Sequence, residues 1–180
     1  MSHLNLNQID LAFGDHLVVR QLSLSLETGR IGCLLGPSGC GKTTTLHSVI
    51  SDINTAGRKI WTAEDPIEIT QSGLRQVQVN PRIGWTFAAA MRTFLRADPD
   101  IILVGEMRDL ETISLAVTAA EMGALVFGTL HTNGAANTID RLIDAFPAEE
   151  QAQIRTTLAE SVAGIVSQLL LKTADGQGRC

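Results

Sequence analysis

Apolar and polar residues alternate only partly over the first thirty positions, and then the rhythm changes. Residues 4–13 (LNLNQIDLAF) and 17–26 (LVVRQLSLSL), with Gly14-Asp15 between them, read as a β-hairpin or two adjacent antiparallel strands. From Ile31 onward the apolar runs become continuous: IGCLL at 31–35, IILVG at 101–105 and ALVFGTL at 124–130. Such runs suit strands buried on both faces. KIWTA at 59–63 reads as a further strand. Helical patterns fall between them, from Lys42 or Thr43 to about Asp52, at 86–97, at 109–122 with Asp109 as N-cap, and at 136–145. A longer helix is expected from about 148 to 172, because Ile154, Leu158, Val162, Ile165 and Leu169 recur at steps of three and four. Pro66 disfavours helix at Asp65, and 67–80 reads as short extended pieces around a Ser-Gly turn. Strands alternating with helices predict an α/β fold. Its parallel sheet is flanked by helices, with a short N-terminal antiparallel β segment. The expected division is 1–30 for that segment, 31–172 for the core and 173–180 for a polar, glycine-rich flexible tail.

Composition narrows the classes. The 180 residues are enough for one domain with a core, and 44% hydrophobic content is ordinary for a globular protein. A net charge of −5 argues against a generic nucleic-acid binder. No apolar run is long enough to span a bilayer, and MSHLNLNQID lacks the pattern of a signal peptide, so no membrane insertion is expected. Cys33, Cys40 and Cys180 have no metal-ligand spacing, and Cys33 reads as a small core residue. A reducing, cytoplasmic setting is the expectation.

One motif carries chemistry by itself. Gly36, Pro37, Ser38, Gly39, Cys40, Gly41, Lys42 and Thr43 complete the G-x-x-x-x-G-K-[ST] pattern between a predicted strand and a predicted helix, and Thr44 follows. The glycines let backbone N–H groups curl around phosphate oxygens at a helix N-terminus. Lys42 is the candidate for neutralising β- and γ-phosphates, and the Thr43 hydroxyl for holding Mg²⁺. This places the core among P-loop NTPases. The motif does not say what becomes of the nucleotide, since GTPases, kinases, transporters and motors all use it.

The residues downstream are more specific. KIWTAEDPIEITQSGLRQVQVN, TFAAAMRTFLRADPDIILVGEMRDLET and ALVFGTLHTNGAANTIDR resemble the secretion ATPase superfamily, which serves type II secretion and type IV pilus assembly and retraction. IDAFPAEEQAQIRTTLAESVAGIVSQLLLK looks most like the pilus-retraction branch. The resemblance spans roughly residues 36–172. It implies a RecA-like P-loop core, ATP and Mg²⁺ as ligands, a hexameric ring of identical chains, and an inner-membrane secretion or pilus platform protein as partner. It matches Glu64 and Asp65 to an acidic box and favours Glu64 as the group that polarises water; spacing alone leaves Glu64, Asp65 and Glu68 open. It matches Glu106 in GEMRD to an atypical Walker B acid near Mg²⁺. It matches His131 in GTLHTN to a histidine that senses the γ-phosphate, although a lone histidine after an apolar strand is more often structural. Where the family often has an earlier histidine, this chain has Ala124. Arg75, Arg92 and Arg96 resemble positions near the cleft or a subunit seam, and surface or helix-pairing roles suit them equally.

Residues 4–45 resemble something different, the start of an ABC-transporter ATPase, in which Phe13 would stack on adenine; if the fold downstream is not of that type, a half-buried strand residue is the favoured reading. Neither an LSGGQ-type signature nor an Asp-Glu after four apolar residues follows. The expectation is therefore a composite or partial chain joined at the phosphate loop. The leading reading is ATP binding and Mg-dependent hydrolysis by a secretion or pilus motor core. The alternatives are an ABC-type ATP-binding subunit and a nucleotide-binding module without significant turnover.

Overall fold

The protein is described by a computed structural model covering residues 4–13, 16–36, 39–132 and 134–169. Gly14-Asp15, Pro37, Ser38, the 173–180 tail and Cys180 lie outside the described residues, as does the Phe13 side chain.

Strands β1 (Leu4–Phe13) and β2 (His16–Leu26) pair antiparallel with each other, as their alternation predicts. Among the described residues they form a sheet of their own. The rest of the chain builds a six-stranded sheet from β3 (Ile31–Leu35), β4 (Ile60–Glu64), β5 (Arg75–Gln78), β6 (Ile101–Val104), β7 (Leu125–Leu130) and β8 (Val162–Ser167). Its order is β5-β4-β6-β7-β3-β8, and every neighbouring pair is parallel. Helices α1 (Lys42–Ile53), α2 (Phe87–Leu95), α3 (Leu110–Glu121), α4 (Ala135–Asp144) and α5 (Gln151–Ser161) connect and cover the strands.

The continuous apolar runs follow from this double covering. Successive strand side chains point to opposite faces. Leu34, Ile101, Leu103, Leu125 and Phe127 pack with Leu46, Val49, Ile50 and Ile53 of α1. Their neighbours Cys33, Leu35, Ile102, Val104 and Val126 pack with Met91 and Phe94 of α2, Ile113 and Val117 of α3, Leu142 and Ile143 of α4 and Leu158 of α5. Both faces are buried, so both parities are mainly apolar. Burial pushes the Cys33 thiol up to about 12, consistent with a core residue. Helix starts follow their caps: Thr86 Oγ1 accepts from Ala89 N at 3.2 Å, and Asp109 Oδ1 accepts from Thr112 N at 2.8 Å.

The expected long helix from 148 to 172 is corrected. Helix α5 ends at Ser161, and Val162–Ser167 continues as β8, paired parallel to β3 with Leu35 opposite Ser167. Three features favour the strand. Gly164 is costly in a helix interior. Val162, Ile165 and Val166 are β-branched. Beyond β7, strand β3 has a second edge whose N–H and C=O groups need partners.

Candidate nucleotide site

Parallel strands bring their carboxyl ends to one side of the sheet, where open α/β folds bind ligands. Here β3 runs into the phosphate loop, β4 into Asp65, β6 into Gly105 and Glu106, and β7 into His131. One cleft of about 440 Å³ is lined by Gly39, Gly41, Lys42, Thr43, Thr44, Asp65, Glu68, Gly105, Thr129 and His131. A smaller inner cavity of about 80 Å³ adjoins it, and Thr43, His47, Glu64, Asp65, Glu68, Phe87 and Glu106 are among its lining residues.

The loop geometry comes from its glycines. Gly41 caps α1 in the left-handed conformation at φ 86°, which a Cβ disfavours. Helix α1 has no side-chain cap and no acid in its first turn, so its N-terminal amides face the cleft without a built-in anion. Lys42 is buried, and its Nζ donates to the Gly36 carbonyl and lies 3.7 Å from Cys40 Sγ.

Glu106 and His131, separate in sequence, meet at the cleft. His131 Nε2 is 3.3 Å from Glu106 Oε1, and Arg108 pairs with Glu106 Oε2. That carboxylate holds the Arg108 guanidinium more firmly protonated than usual. Adjacent strand tips fix the arrangement, because Met107 N donates to Thr129 O at 3.0 Å and Gly105 N to Ala63 O at 2.8 Å.

Glu64 is placed differently from its neighbours. It is buried and lines only the inner cavity of the two, whereas Asp65 and Glu68 line both. Its Oε2 meets His47 Nε2 at 3.0 Å, and its Oε1 accepts from Thr62 Oγ1 at 2.6 Å and Gln76 Nε2 at 3.0 Å. Burial raises its pKa, but the bonds from His47, Thr62 and Gln76 and the nearby His47 charge outweigh that and hold it below the usual carboxylate value.

The arginines divide. Arg75 lies over the Trp61 ring, 5.6 Å from its centroid, at the β5 edge. Arg92 pairs with Glu111 between α2 and α3. Arg96 caps the C-terminus of α2. None of the three lines the cleft or the inner cavity.

His47, Gln76 and Gln168 are site-supporting residues that motif reading missed. His47 is a lone histidine on a helix, Gln76 a polar residue in a short strand, and Gln168 lies within the span read as helix. No motif marks them.

Comparison with known proteins now adds identity to geometry. Residues 3–179 match the family described as type II/IV secretion system protein. This chain belongs to that family. A twitching motility protein of Neisseria gonorrhoeae is 54% identical over 149 residues, covering 80% of this chain and 40% of that protein. The type IV pilus retraction ATPase PilT of Pseudomonas aeruginosa is 53% identical over 148 residues, covering 78% of this chain and 42% of its own length. The crystal structure of the pilus retraction motor PilT with bound ADP superposes with a TM-score of 0.75 at 45% identity. That superposition covers 86% of this chain and 46% of the other. The chain thus spans less than half the length of these relatives. The secretion-family match begins at residue 3, and so includes the N-terminal strand pair. Among the described residues, no helix is long and apolar enough to cross a membrane.

Proposed function

We propose that this chain is the ATP-binding and ATP-hydrolysing core of a secretion or pilus motor. The observation that carries the reading is the convergence of the phosphate loop, Asp65, Glu68 and His131 on one cleft, with Glu106 3.3 Å from His131. Lys42 neutralises the β- and γ-phosphates, and the uncapped amides of α1 take the remaining charge. The inner cavity has room for a few water molecules, and Glu64, kept ionised by its donors, polarises water there beside Glu106. His131 reports the γ-phosphate from the cleft, with Glu106 beside it.

The residues present fit Mg²⁺. The Thr43 hydroxyl and Glu106 carboxylate are hard oxygen donors, and both line the inner cavity. Among the described residues no group of three metal-binding side chains occurs, which suits an ion held mainly by substrate phosphates and water. When bound, the ion would shield phosphate charge.

In this reading the chain works in the cytoplasm as one subunit of a hexameric ring against an inner-membrane platform protein, with no nucleic-acid partner. The separate β1–β2 sheet supports treating residues 1–30 as a segment distinct from the ATPase core, and its ABC-like character belongs to that proposal. The test is ATPase rate against protein concentration for the wild type, Glu64→Gln and Glu106→Gln. A rate that rises with concentration and is lost in both variants is expected. A flat, negligible wild-type rate would instead identify a binding module without turnover.

A further inference from the structure

We infer that Gln168 is a positioning residue for the phosphate loop, clamping it from the β8 side of the sheet. The inference rests on the nucleotide-binding reading above and goes beyond it in assigning a role outside the motif.

Gln168 directly follows β8 and bonds three successive parts of the loop. Its backbone N donates to Leu35 O, at the end of β3, at 2.8 Å. Its side-chain Nε2 donates to Cys40 O, within the loop, at 2.7 Å. Its Oε1 accepts from Thr45 Oγ1, on the first turn of α1, at 3.0 Å. Thr45 and Cys40 are both buried and Gln168 is half-buried, so these bonds are partly screened from competing water. The Gln168 carbonyl comes so close to Gly36 that a Cβ there would collide with it and with the Cys40 sulfur. The first glycine of the motif is therefore required by the course of the backbone at residue 168 as well as by its own φ of 146°.

The Cys40 bond has a directional consequence. In a trans peptide the C=O and the following N–H point opposite ways. Holding Cys40 O toward Gln168 turns the Gly41 N–H away from it, and Gly41 lines the cleft. The clamp thus sets the direction of an amide that cradles phosphate. Only an amide side chain supplies both bonds here, because a carboxylate would set an acceptor against the Cys40 carbonyl. Gln168 does not line the cleft, so it acts through the loop and not on the nucleotide.

The experiment measures the Kd for Mg-ATP by calorimetry on the full chain and on Gln168→Glu, Gln168→Met, Thr45→Val and Lys42→Ala. It adds thermal unfolding without nucleotide and amide hydrogen exchange. Gln168→Glu and Gln168→Met are expected to weaken binding about tenfold, and Thr45→Val about threefold. Unfolding temperatures without nucleotide should fall by no more than a few degrees, while exchange rises at residues 39–44 and stays unchanged in β6 and β7. Binding within about twofold of wild type in both Gln168 variants, with Lys42→Ala impaired, overturns the clamp and leaves the nucleotide site standing. Exchange rising equally across the whole sheet also overturns it, by reducing Gln168 to general support. If Lys42→Ala binds as well as wild type, the nucleotide reading itself fails and the clamp falls with it. Should the Gln168 variants not fold, Thr45→Val carries the test, and unchanged affinity there contradicts the clamp.

Discussion

His47 Nε2 lies 3.0 Å from Glu64 Oε2, with side-chain exposures of 2% and 5%. A buried carboxylate is tolerated only when its lone pairs are engaged, and here three side chains engage them. The pair joins the helix that follows the phosphate loop to the strand that carries the acidic box. The two sides of the inner cavity are thereby tied by a direct bond.

The acid side of the stability profile should report this pair. Glu64 has a folded pKa below its ordinary value of 4.5, so between the two values the folded chain holds fewer protons than the unfolded chain. The stabilisation is complete above the ordinary value and drains away as pH falls through the folded one. Glu64→Gln should therefore lose less stability than wild type between neutral pH and about pH 3, read from urea midpoints. Equal losses in the two proteins would remove Glu64 as a source of acid sensitivity. At neutral pH, His47→Ala should cost about 2 kcal/mol, since it strips a charged, buried acceptor of one partner.

Phe94 is fully buried and packs its ring 5.1 Å from that of Trp61. It belongs to the core between α2 and the sheet, away from the nucleotide cleft. Phe94→Ala should destabilise by about 3–5 kcal/mol. Chemical denaturation checks this, and a loss below about 1 kcal/mol would mean that the α2 side of the core is loosely packed.

The Arg92–Glu111 pair joins α2 to α3, with about half of each side chain exposed. Exposed pairs are screened and contribute little. Arg92→Ala should change stability by under about 1 kcal/mol. If ATP turnover collapsed in that variant without a stability change, Arg92 would belong to a neighbouring subunit's site instead of to a helix pair.

Legibility in the sequence follows the range of the interactions. Strands β6 and β7 were readable because burial on both faces leaves a continuous apolar run, and α3 because Asp109 signals its own cap. The phosphate loop was readable because its geometry depends on residues a few positions apart. Strand β8 was not. Val162, Ile165 and Val166 suit either period over so short a span, and the deciding partner, β3, lies more than a hundred positions away. The same distance hid Gln168, whose bonds reach back to Cys40 and Thr45. Asp65 and Glu68 were open candidates beside Glu64, and only packing separates the carboxylate held by His47 at the inner cavity from those that also line the cleft.

The most direct test of the central claim is the Kd for Mg-ATP of the wild-type chain beside Lys42→Ala, with unfolding temperature as a control for folding. Removing the ammonium group that meets the phosphates should weaken binding at least about tenfold while the fold persists. Equal affinity in two folded proteins would contradict the account, because the cleft at residues 36–44 would then not be where the nucleotide is held.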